Sequence, residues 1–274
     1  MSVRAAIAEA AARLRTVSQT PRLDAELLMA HALGTTREGV LLSRLDAPVP
    51  PGFGALVDRR LAHEPIAYIT GSRAFWTIEL EVGPGVLIPR PDSETLIEAA
   101  VAHFGKGGPR RILDLGTGPG TLLLAALAEW PQAQGIGIDA SDVALGYARR
   151  NAARLGLDDR AEFRIGDWAT GLDATFDLIL ANPPYIGRDE ALPRDVQAYE
   201  PGEALFAGVD GLDDYRRIIP QLPRLVVPGG VAVIEIGMTQ AEPVVALVTV
   251  EGMQADLRHD LAGKPRAVVI RPPV

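Results

Sequence analysis

The sequence of 274 residues contains no cysteine. This absence excludes disulfide bonds, thiolate nucleophiles and metal sites built from cysteine. The four histidines lie far apart in the chain and show none of the spacings typical of metal ligands. We therefore predict no metal site, and any chemistry must come from other side chains.

Basic side chains are also outnumbered, because 27 lysines and arginines face 35 acidic residues and the formal net charge is −8. Since Lys and Arg contacts to phosphates supply most non-specific affinity for nucleic acids, duplex DNA is a disfavoured partner. A local basic patch, for instance around Arg59, Arg60 or Arg73, would still be compatible with this charge.

Long apolar runs are missing as well. The apolar stretches are short and interrupted, and none has the length that a membrane-spanning helix needs. Charged residues at Glu9, Arg13 and Arg15 stand where a signal peptide would need an apolar stretch. We expect a cytoplasmic protein that does not enter a membrane.

The chain does contain enough apolar material for a large domain and a small one, since 47% of its residues are hydrophobic. Residues 1–73 carry apolar side chains at helical spacing and predict a small all-α domain. Residues 74–90 show two short runs, Trp76 to Val82 and Val86 to Ile88, separated by Gly83, Pro84 and Gly85. This pattern favours a β-hairpin linker with the two runs as its arms. Residues 91–274 are expected to form the catalytic domain.

In that last region, short β-rich runs alternate with helical segments. This alternation predicts an α/β domain with a mainly parallel, Rossmann-like sheet covered by helices on both faces. The predicted strands are residues 111–115, 135–138, 161–165, 177–181, 231–236, 254–259 and 267–270, and the predicted helices are 122–130, 142–155, 215–225 and 240–250. Ligands of such folds bind at the carboxyl ends of the strands.

A glycine-rich loop follows the first of these strands. The stretch from Asp114 to Gly120 reads Asp-Leu-Gly-Thr-Gly-Pro-Gly, and glycines in this context let the backbone approach a nucleotide-like ligand. The dinucleotide fingerprint would need glycine at position 121, where the chain has Thr121. The spacing is therefore typical of S-adenosylmethionine binding, and the alternative is a tight turn without a ligand.

Acidic residues follow the next two strands. Asp139 stands about 20 residues beyond the loop, where a carboxylate can accept hydrogen bonds from both ribose hydroxyls. Asp167 could accept from an adenine amino group while the Trp168 indole packs on the ring. Either acid alone could be a helix cap, but together with the loop they indicate a cofactor site.

The most specific motif is Asn182-Pro183-Pro184-Tyr185, which directly follows an apolar strand. Proline fixes its own backbone and restricts the residue before it, so acceptor groups are held rigidly. A planar NH2 group can donate one hydrogen to the Asn182 side-chain oxygen and the other to the Pro183 carbonyl, while Tyr185 lies over the plane. This corner predicts methylation of an amide or exocyclic amine nitrogen, and its alternative is a proline-rich surface turn.

With these motifs together, the sequence resembles the HemK/PrmC-type family of protein-(glutamine-N5) methyltransferases, which act on peptide chain release factors. The resemblance covers nearly the whole chain. It is carried by residues 64–71, 86–94, 114–120, 166–168, 182–186, 200–201, 210–213 and 228–230.

The resemblance implies a seven-stranded methyltransferase domain and an N-terminal helical domain that helps to hold the release factor. It implies methylation of the glutamine in the Gly-Gly-Gln motif of class 1 release factors. Separately from the resemblance, we expect the protein to be a monomer. The cofactor contacts it implies, together with those argued above, are Gly116, Thr117, Gly118, Pro119, Gly120, Asp139, Asp167, Trp168 and Asn182. The glutamine contacts it implies are Asn182, Pro183, Pro184 and Tyr185.

The chain departs from the family pattern at two places. Ser93 replaces the usual threonine and keeps the hydroxyl, and the loop around Lys264, Pro265 and Arg266 replaces a usual Asp-Arg pair. Arg90, between two prolines, either shapes the substrate entrance or forms a salt bridge. Two other functions stay open at this point, an adenine N6-methyltransferase acting on nucleic acid and a cofactor-binding protein without catalysis.

Overall fold

The computed structural model describes residues 1–273, and the chain divides into two compact units. The first contains Met1–Ser72 and a later segment, Leu192–Tyr199. The second contains Arg73–Ala191 and the chain from Glu200 onward. The N-terminal unit thus draws on two separate stretches, one of which lies inside the region that the sequence assigns to the catalytic domain.

The N-terminal unit is helical, as predicted. Its first five helices are α1 (Val3–Leu14), α2 (Pro21–Leu33), α3 (Arg37–Ser43), α4 (Phe53–Leu61) and α5 (Ile66–Thr70). Proline at the first position of α2 suits a helix start, and Gly34 ends that helix in the left-handed conformation. Apolar side chains such as Ile7, Leu28 and Met29 are fully buried between the helices and form this unit's core.

A two-stranded hairpin begins the second unit, but its arms differ from the prediction. Strands β1 (Ser72–Phe75) and β2 (Ile78–Glu81) flank a turn at Trp76 and Thr77. The expected second arm at residues 86–88 is wrong, because the Ile88 amide donates to the Glu200 carboxylate, 3.0 Å away, and not to a strand partner. This side-chain acceptor lies 112 residues away in sequence.

The main sheet has seven strands, which confirms the predicted fold. They are β3 (Arg111–Leu115), β4 (Gln134–Asp139), β5 (Ala161–Ile165), β6 (Phe176–Ala181), β7 (Val226–Glu235), β8 (Gln254–His259) and β9 (Pro265–Arg271). Their order is β5-β4-β3-β6-β7-β9-β8, and β9 alone runs antiparallel to its neighbours. The central strands β3 and β6 are almost completely buried, as a doubly covered parallel sheet requires.

The remaining helices are α6 (Glu94–Phe104), α7 (Thr121–Glu129), α8 (Asp142–Leu155), α9 (Arg194–Tyr199), α10 (Asp213–Ile218), α11 (Leu222–Leu225) and α12 (Ala241–Val250). The prediction of one continuous helix over residues 215–225 is wrong. The segment breaks into α10, one 3-10 turn and α11 around Pro220 and Pro223, since proline supplies no backbone N–H to a helix. No helix within residues 1–273 is long and apolar enough to cross a membrane.

Register brings the predicted site residues to one edge of the sheet. Leu115 at the end of β3 pairs with Ile138 of β4 and with Ala181 of β6. The next residues along these strands are Gly116, Asp139 and Asn182, so they leave the sheet side by side.

Candidate cofactor and substrate site

A cavity of about 630 Å³ opens at this edge of the sheet. Loops after β3, β4, β5 and β6 contribute to its wall, as the rule for parallel sheets requires. Of the residues predicted from sequence, those that line it are Gly116, Thr117, Gly118, Pro119, Asp139, Asp167, Trp168, Asn182 and Pro184. Gly120, Pro183 and Tyr185 are not part of the lining.

The glycine loop is folded tightly around the end of β4. The amides of Gly116 and Thr117 both donate to the Ile138 carbonyl, at 2.8 and 3.0 Å. Gly116 has a φ of +70°, and a Cβ there would lie 3.1 Å from the Trp168 ring. Glycine is therefore required at 116 both by the backbone conformation and by the closeness of the indole.

Gly120 has a packing role instead. It precedes α7 with a φ of +87°, and a Cβ would come within 2.7 Å of the Leu124 side chain. The close approach of loop and helix explains this glycine without a ligand contact.

Asp139 connects the glycine loop to the start of α8. Its Oδ2 accepts from the Gly118 amide and its Oδ1 accepts from the Ser141 amide, both at 2.8 Å. Burial raises the pKa of this carboxyl, and the backbone hydrogen bonds oppose that effect. Each oxygen keeps one further lone pair, so the carboxylate can still accept from hydroxyls of a ligand.

The two predicted adenine contacts differ in exposure, since Trp168 is half-buried and Asp167 is exposed. Trp168 has a φ of +51°, an unusual conformation for a non-glycine residue, and lines the cavity. Asp167 is exposed and forms an ion pair with Arg217. An adenine amino group would therefore compete with Arg217 for this carboxylate.

Asp114, to which the sequence analysis gives no role, is the most deeply buried acid of the cavity wall. Its Oδ2 accepts from the Thr117 hydroxyl at 2.6 Å and from the Leu123 amide at 3.1 Å. Its Oδ1 is buried and has no hydrogen-bond partner among the described residues. Burial raises the pKa of this carboxyl to about 7. The sequence signal that could have identified Asp114 is an acidic residue near the end of a mainly apolar strand.

This shift predicts a pH-dependent effect of Asp114→Asn on stability. The folded-state pKa of about 7 lies above the ordinary value of 3.8, so the stabilisation by the protonated carboxyl is complete below 3.8 and is lost as pH rises through 7. The difference is worth about 4 kcal/mol at about 1.4 kcal/mol per pH unit. We expect the free energy of unfolding of Asp114→Asn, relative to wild type, to rise by up to that amount between about pH 4 and about pH 8.

Urea unfolding of the cofactor-free proteins at a series of pH values measures this difference. Asp142→Asn is the matched control, because Asp142 lies on the same edge with a side chain that is 81% exposed. A pH-independent difference for Asp114→Asn would contradict the raised pKa.

The Asn-Pro-Pro-Tyr corner continues directly from β6. The Asn182 amide nitrogen donates to the Ser93 hydroxyl at 3.1 Å, and no described protein donor contacts its side-chain oxygen. Pro183 is buried, whereas Pro184 lines the cavity. The corner therefore presents one side-chain acceptor, the Asn182 carbonyl oxygen, that the protein does not use.

Gln240 holds the far end of this corner. Its amide nitrogen donates to the carbonyls of Tyr185, at 2.8 Å, and Gly211, at 3.2 Å. Its oxygen accepts from the Gly237 amide at 3.0 Å and lies 3.3 Å from the Tyr215 hydroxyl, which donates to the nearer Glu235 backbone carbonyl. One buried amide thus ties three loops together, which fixes the position of the corner.

The contact at Gly211 predicts a large effect of one methyl group. Gly211 has a φ of +72°, and a Cβ would lie 2.2 Å from the Tyr185 carbonyl oxygen. Gly156 has a similar φ of +66° but open space around it. We expect Gly156→Ala to lower the free energy of unfolding by about 1 kcal/mol, and Gly211→Ala by at least twice as much with loss of methyl transfer. Equal losses in chemical denaturation would show that the close backbone approach has no consequence.

A buried carboxylate lies behind the corner. Glu235, the last residue of β7, accepts from the Ser93 hydroxyl at 2.5 Å and from the Tyr185 hydroxyl at 3.3 Å. Burial raises its pKa to about 7, while burial and the neighbouring Glu235 raise the pKa of Tyr185 above its usual value. Glu235 is not among the residues predicted from the sequence, although a glutamate at the end of an apolar strand run is a visible signal.

Arg90 reaches the cavity wall and is also salt-bridged. Its guanidinium contacts the buried Glu200 carboxylate at 2.5 Å. Because Glu200 also accepts from the Ile88 amide, this acid fixes both ends of the segment that carries Arg90. The salt bridge predicted as one alternative for Arg90 is confirmed, and its part in a substrate entrance stays a prediction.

Comparison with known proteins identifies the family. A family model described as PrmC N-terminal domain matches residues 5–71, and one described as methyltransferase domain matches residues 109–256. A release factor glutamine methyltransferase from Rhodospirillum rubrum is 45% identical over 261 residues, which cover 92% of this chain and 79% of the relative. The chain belongs to the release factor glutamine methyltransferase family.

Other members of this family are similarly close. The protein from Caulobacter vibrioides is 42% identical and covers 85% of this chain and 82% of the relative. The one from Coxiella burnetii is 38% identical and covers 99% of both. The resemblance stated from the motifs is thereby confirmed, and the chain is a methyltransferase of a class that uses S-adenosylmethionine.

Solved structures with lower identity share the fold. A methyltransferase from Pyrococcus furiosus is 19% identical with a TM-score of 0.53, covering 78% of this chain and 95% of that one. A T. thermophilus 16S rRNA methyltransferase, solved with AdoMet and guanosine, is 20% identical with a TM-score of 0.55, covering 74% and 50%. At such identities the likeness establishes the methyltransferase fold alone.

Proposed function

We propose that this protein transfers a methyl group from S-adenosylmethionine to the side-chain amide nitrogen, N5, of the glutamine in the Gly-Gly-Gln motif of class 1 release factors. One observation carries the proposal. The Asn182 amide nitrogen is engaged by Ser93, so its oxygen is the atom left to bind an NH2 group at the cavity. The family relatives carry release factor names, which favours a protein amide over an adenine as the source of that group.

The residues of the cavity fit the cofactor. Asp139 has acceptor capacity for two ribose hydroxyls, and Trp168 offers a flat apolar surface for an adenine ring. The unpartnered Oδ1 of Asp114 suits a cationic amino group, because a buried acceptor without a partner is costly. Gly116 and Gly118 leave backbone surface open to the ligand. When bound, S-adenosylmethionine supplies an electrophilic methyl carbon on a positively charged sulfur and leaves as S-adenosylhomocysteine.

The corner supplies the orientation that this chemistry needs. A primary amide is a poor nucleophile because its lone pair is delocalised into the carbonyl group. Asn182 Oδ1 and the Pro183 backbone carbonyl accept the two amide hydrogens and hold the nitrogen in line with the methyl carbon. These acceptors interact more strongly as positive charge develops on the nitrogen, so they favour the transition state over the ground state. Tyr185 does not line the cavity, and its place over the planar group stays a prediction from the motif.

Labelled S-adenosylmethionine, a purified release factor and this protein test the proposal. We expect label on the tip glutamine, detected by peptide mass spectrometry as one added CH2 group. A release factor with alanine in place of that glutamine is the control and should remain unlabelled. Label in RNA or DNA but not in protein would favour the adenine alternative, and no turnover with either would favour a binding protein.

The proposal includes two expectations from the sequence. We expect the enzyme to act as a monomer and to meet its substrate in the cytoplasm. Size-exclusion chromatography with light scattering measures the first, and a dimer would contradict it.

A further inference from the structure

Four side chains at one wall of the cavity form one continuous hydrogen-bonded chain. Asn182 donates to Ser93 at 3.1 Å, Ser93 donates to Glu235 at 2.5 Å, and Tyr185 donates to the other oxygen of Glu235 at 3.3 Å. Ser93 and Glu235 are 2% and 1% exposed, so water cannot substitute for these partners. The outer members, Asn182 and Tyr185, belong to the substrate corner. Of the inner members, Ser93 lines the cavity and Glu235 does not.

The proton count of the Ser93 hydroxyl fixes the direction of this chain. A hydroxyl has one hydrogen to donate, and an ionised carboxylate can only accept. With Glu235 ionised, the Ser93 hydrogen points to Glu235, and Ser93 can only accept from its other neighbour. That neighbour must then be the NH2 end of Asn182, which turns the oxygen end towards the cavity.

A protonated Glu235 removes this constraint. Its own hydrogen can occupy the bond to Ser93, and the Ser93 hydrogen is then free to point to Asn182. The Asn182 amide can turn over and present NH2 to the cavity, where it repels an incoming NH2 group. The charge of a buried acid thus decides whether the corner offers an acceptor or a donor.

We propose that Ser93 and ionised Glu235 are positioning residues that hold the Asn182 amide with its oxygen towards the substrate. The inference rests on the proposed function, because it concerns how that site binds a planar NH2 group. Neither residue needs to touch the substrate or the cofactor's reacting atoms. Ser93, where the family pattern has threonine, supplies the hydroxyl on which the arrangement depends.

The groups around Glu235 set the pH at which it gains a proton. Burial raises its pKa to about 7, with Ser93, the Arg266 guanidinium and Tyr185 opposing the rise and the Asp92 carboxylate adding to it. Tyr215 also faces this acid, through a hydrogen bond of 2.9 Å to the Glu235 backbone carbonyl. Arg266 is itself shared between Asp92 and Asp260, at 3.0 and 3.2 Å. Below about pH 7 the carboxyl is protonated, so the oriented form and the transfer rate decline together.

Substitutions at Ser93 test the positioning role. We expect Ser93→Ala to lower kcat by about tenfold with the affinity for S-adenosylmethionine almost unchanged, since one oriented hydrogen bond is lost. Ser93→Thr keeps a hydroxyl and should restore most of the rate, and Ser43→Ala, an exposed serine, should change nothing. A wild-type kcat for Ser93→Ala, or a Thr variant as slow as the Ala variant, would overturn the proposal.

Nuclear magnetic resonance reads the orientation without turnover. The chain has only two asparagines, Asn151 and Asn182, so asparagine-selective ¹⁵N labelling gives two side-chain NH2 signals. We expect the Asn182 signals to shift between about pH 6 and about pH 8 in the wild type and to be insensitive to pH in Glu235→Gln. The acid limb of the kcat profile should disappear in the same variant.

The outcomes separate the two proposals. If the Asn182 signal depends on pH but no methyl group reaches the glutamine, the positioning role of Ser93 and Glu235 stands and the proposed substrate is rejected. If methyl transfer occurs but neither the Asn182 signal nor kcat depends on pH, the role of Glu235 is rejected and the proposed substrate stands. The same conclusion follows if Glu235→Gln keeps the decline of kcat at low pH.

Discussion

Replacing Asn182 with alanine is expected to lower the rate of methyl transfer by about 100-fold or more, while cofactor affinity changes by less than about tenfold. The side-chain oxygen of Asn182 is a side-chain acceptor of the corner that no donor among the described residues uses. Its loss removes an interaction that strengthens as charge develops on the nitrogen, so kcat falls and ground-state binding does not. Single-turnover kinetics with a release factor, and calorimetry with S-adenosylmethionine, separate the two effects.

Asn182→Asp is the informative companion variant. It keeps an oxygen towards the cavity but replaces the NH2 group that donates to Ser93, so the second oxygen faces a hydroxyl that is already donating to Glu235. We expect it to be nearly as slow as the alanine variant. Wild-type turnover of Asn182→Ala would contradict the role assigned to the corner.

The second large effect is expected at Asp139, on cofactor binding and not on chemistry. Asp139→Ala removes the acceptor of the Gly118 and Ser141 amides as well as the proposed ribose contacts. Hydrogen bonds to charged groups are worth about 1.5 to 3 kcal/mol each, so a weakening of the S-adenosylmethionine Kd by about 100-fold is expected. At saturating cofactor, kcat should recover most of its value.

Asp142→Ala is the matched control for this variant. Asp142 lies three residues further along the same loop and helix start, but its side chain is 81% exposed. We expect its Kd to equal that of the wild type. Equal effects at Asp139 and Asp142 in titration calorimetry would show that the cofactor does not use the Asp139 carboxylate.

The sequence could predict the sheet because each strand carries its own signal. Residues 111–115 and 161–165 match β3 and β5 in full, since short apolar or β-branched runs are bounded by glycine and charged residues. The glycine loop, Asp139 and the Asn182 corner could also be located, because parallel strands deliver their carboxyl ends to one edge.

What could not be predicted depends on contacts between distant parts of the chain. Glu200 reaches Ile88 across 112 residues and prevents the strand that the apolar run at 86–88 suggests. Ser93 and Glu235 meet across 142 residues, so the local sequence of neither residue predicts their hydrogen bond. The pairing of Asp167 with Arg217, 50 residues later, is hidden for the same reason.

The N-terminal unit has a consequence for the order in which the chain can fold during synthesis. Helix α9 belongs to it, and the Tyr199 hydroxyl donates to the Ala62 carbonyl at 2.9 Å. The ribosome must therefore translate through Tyr199 before this unit can assemble completely, by which time β3, β4, β5 and β6 have already been made. A nascent chain paused before that point carries a helical unit without its last helix.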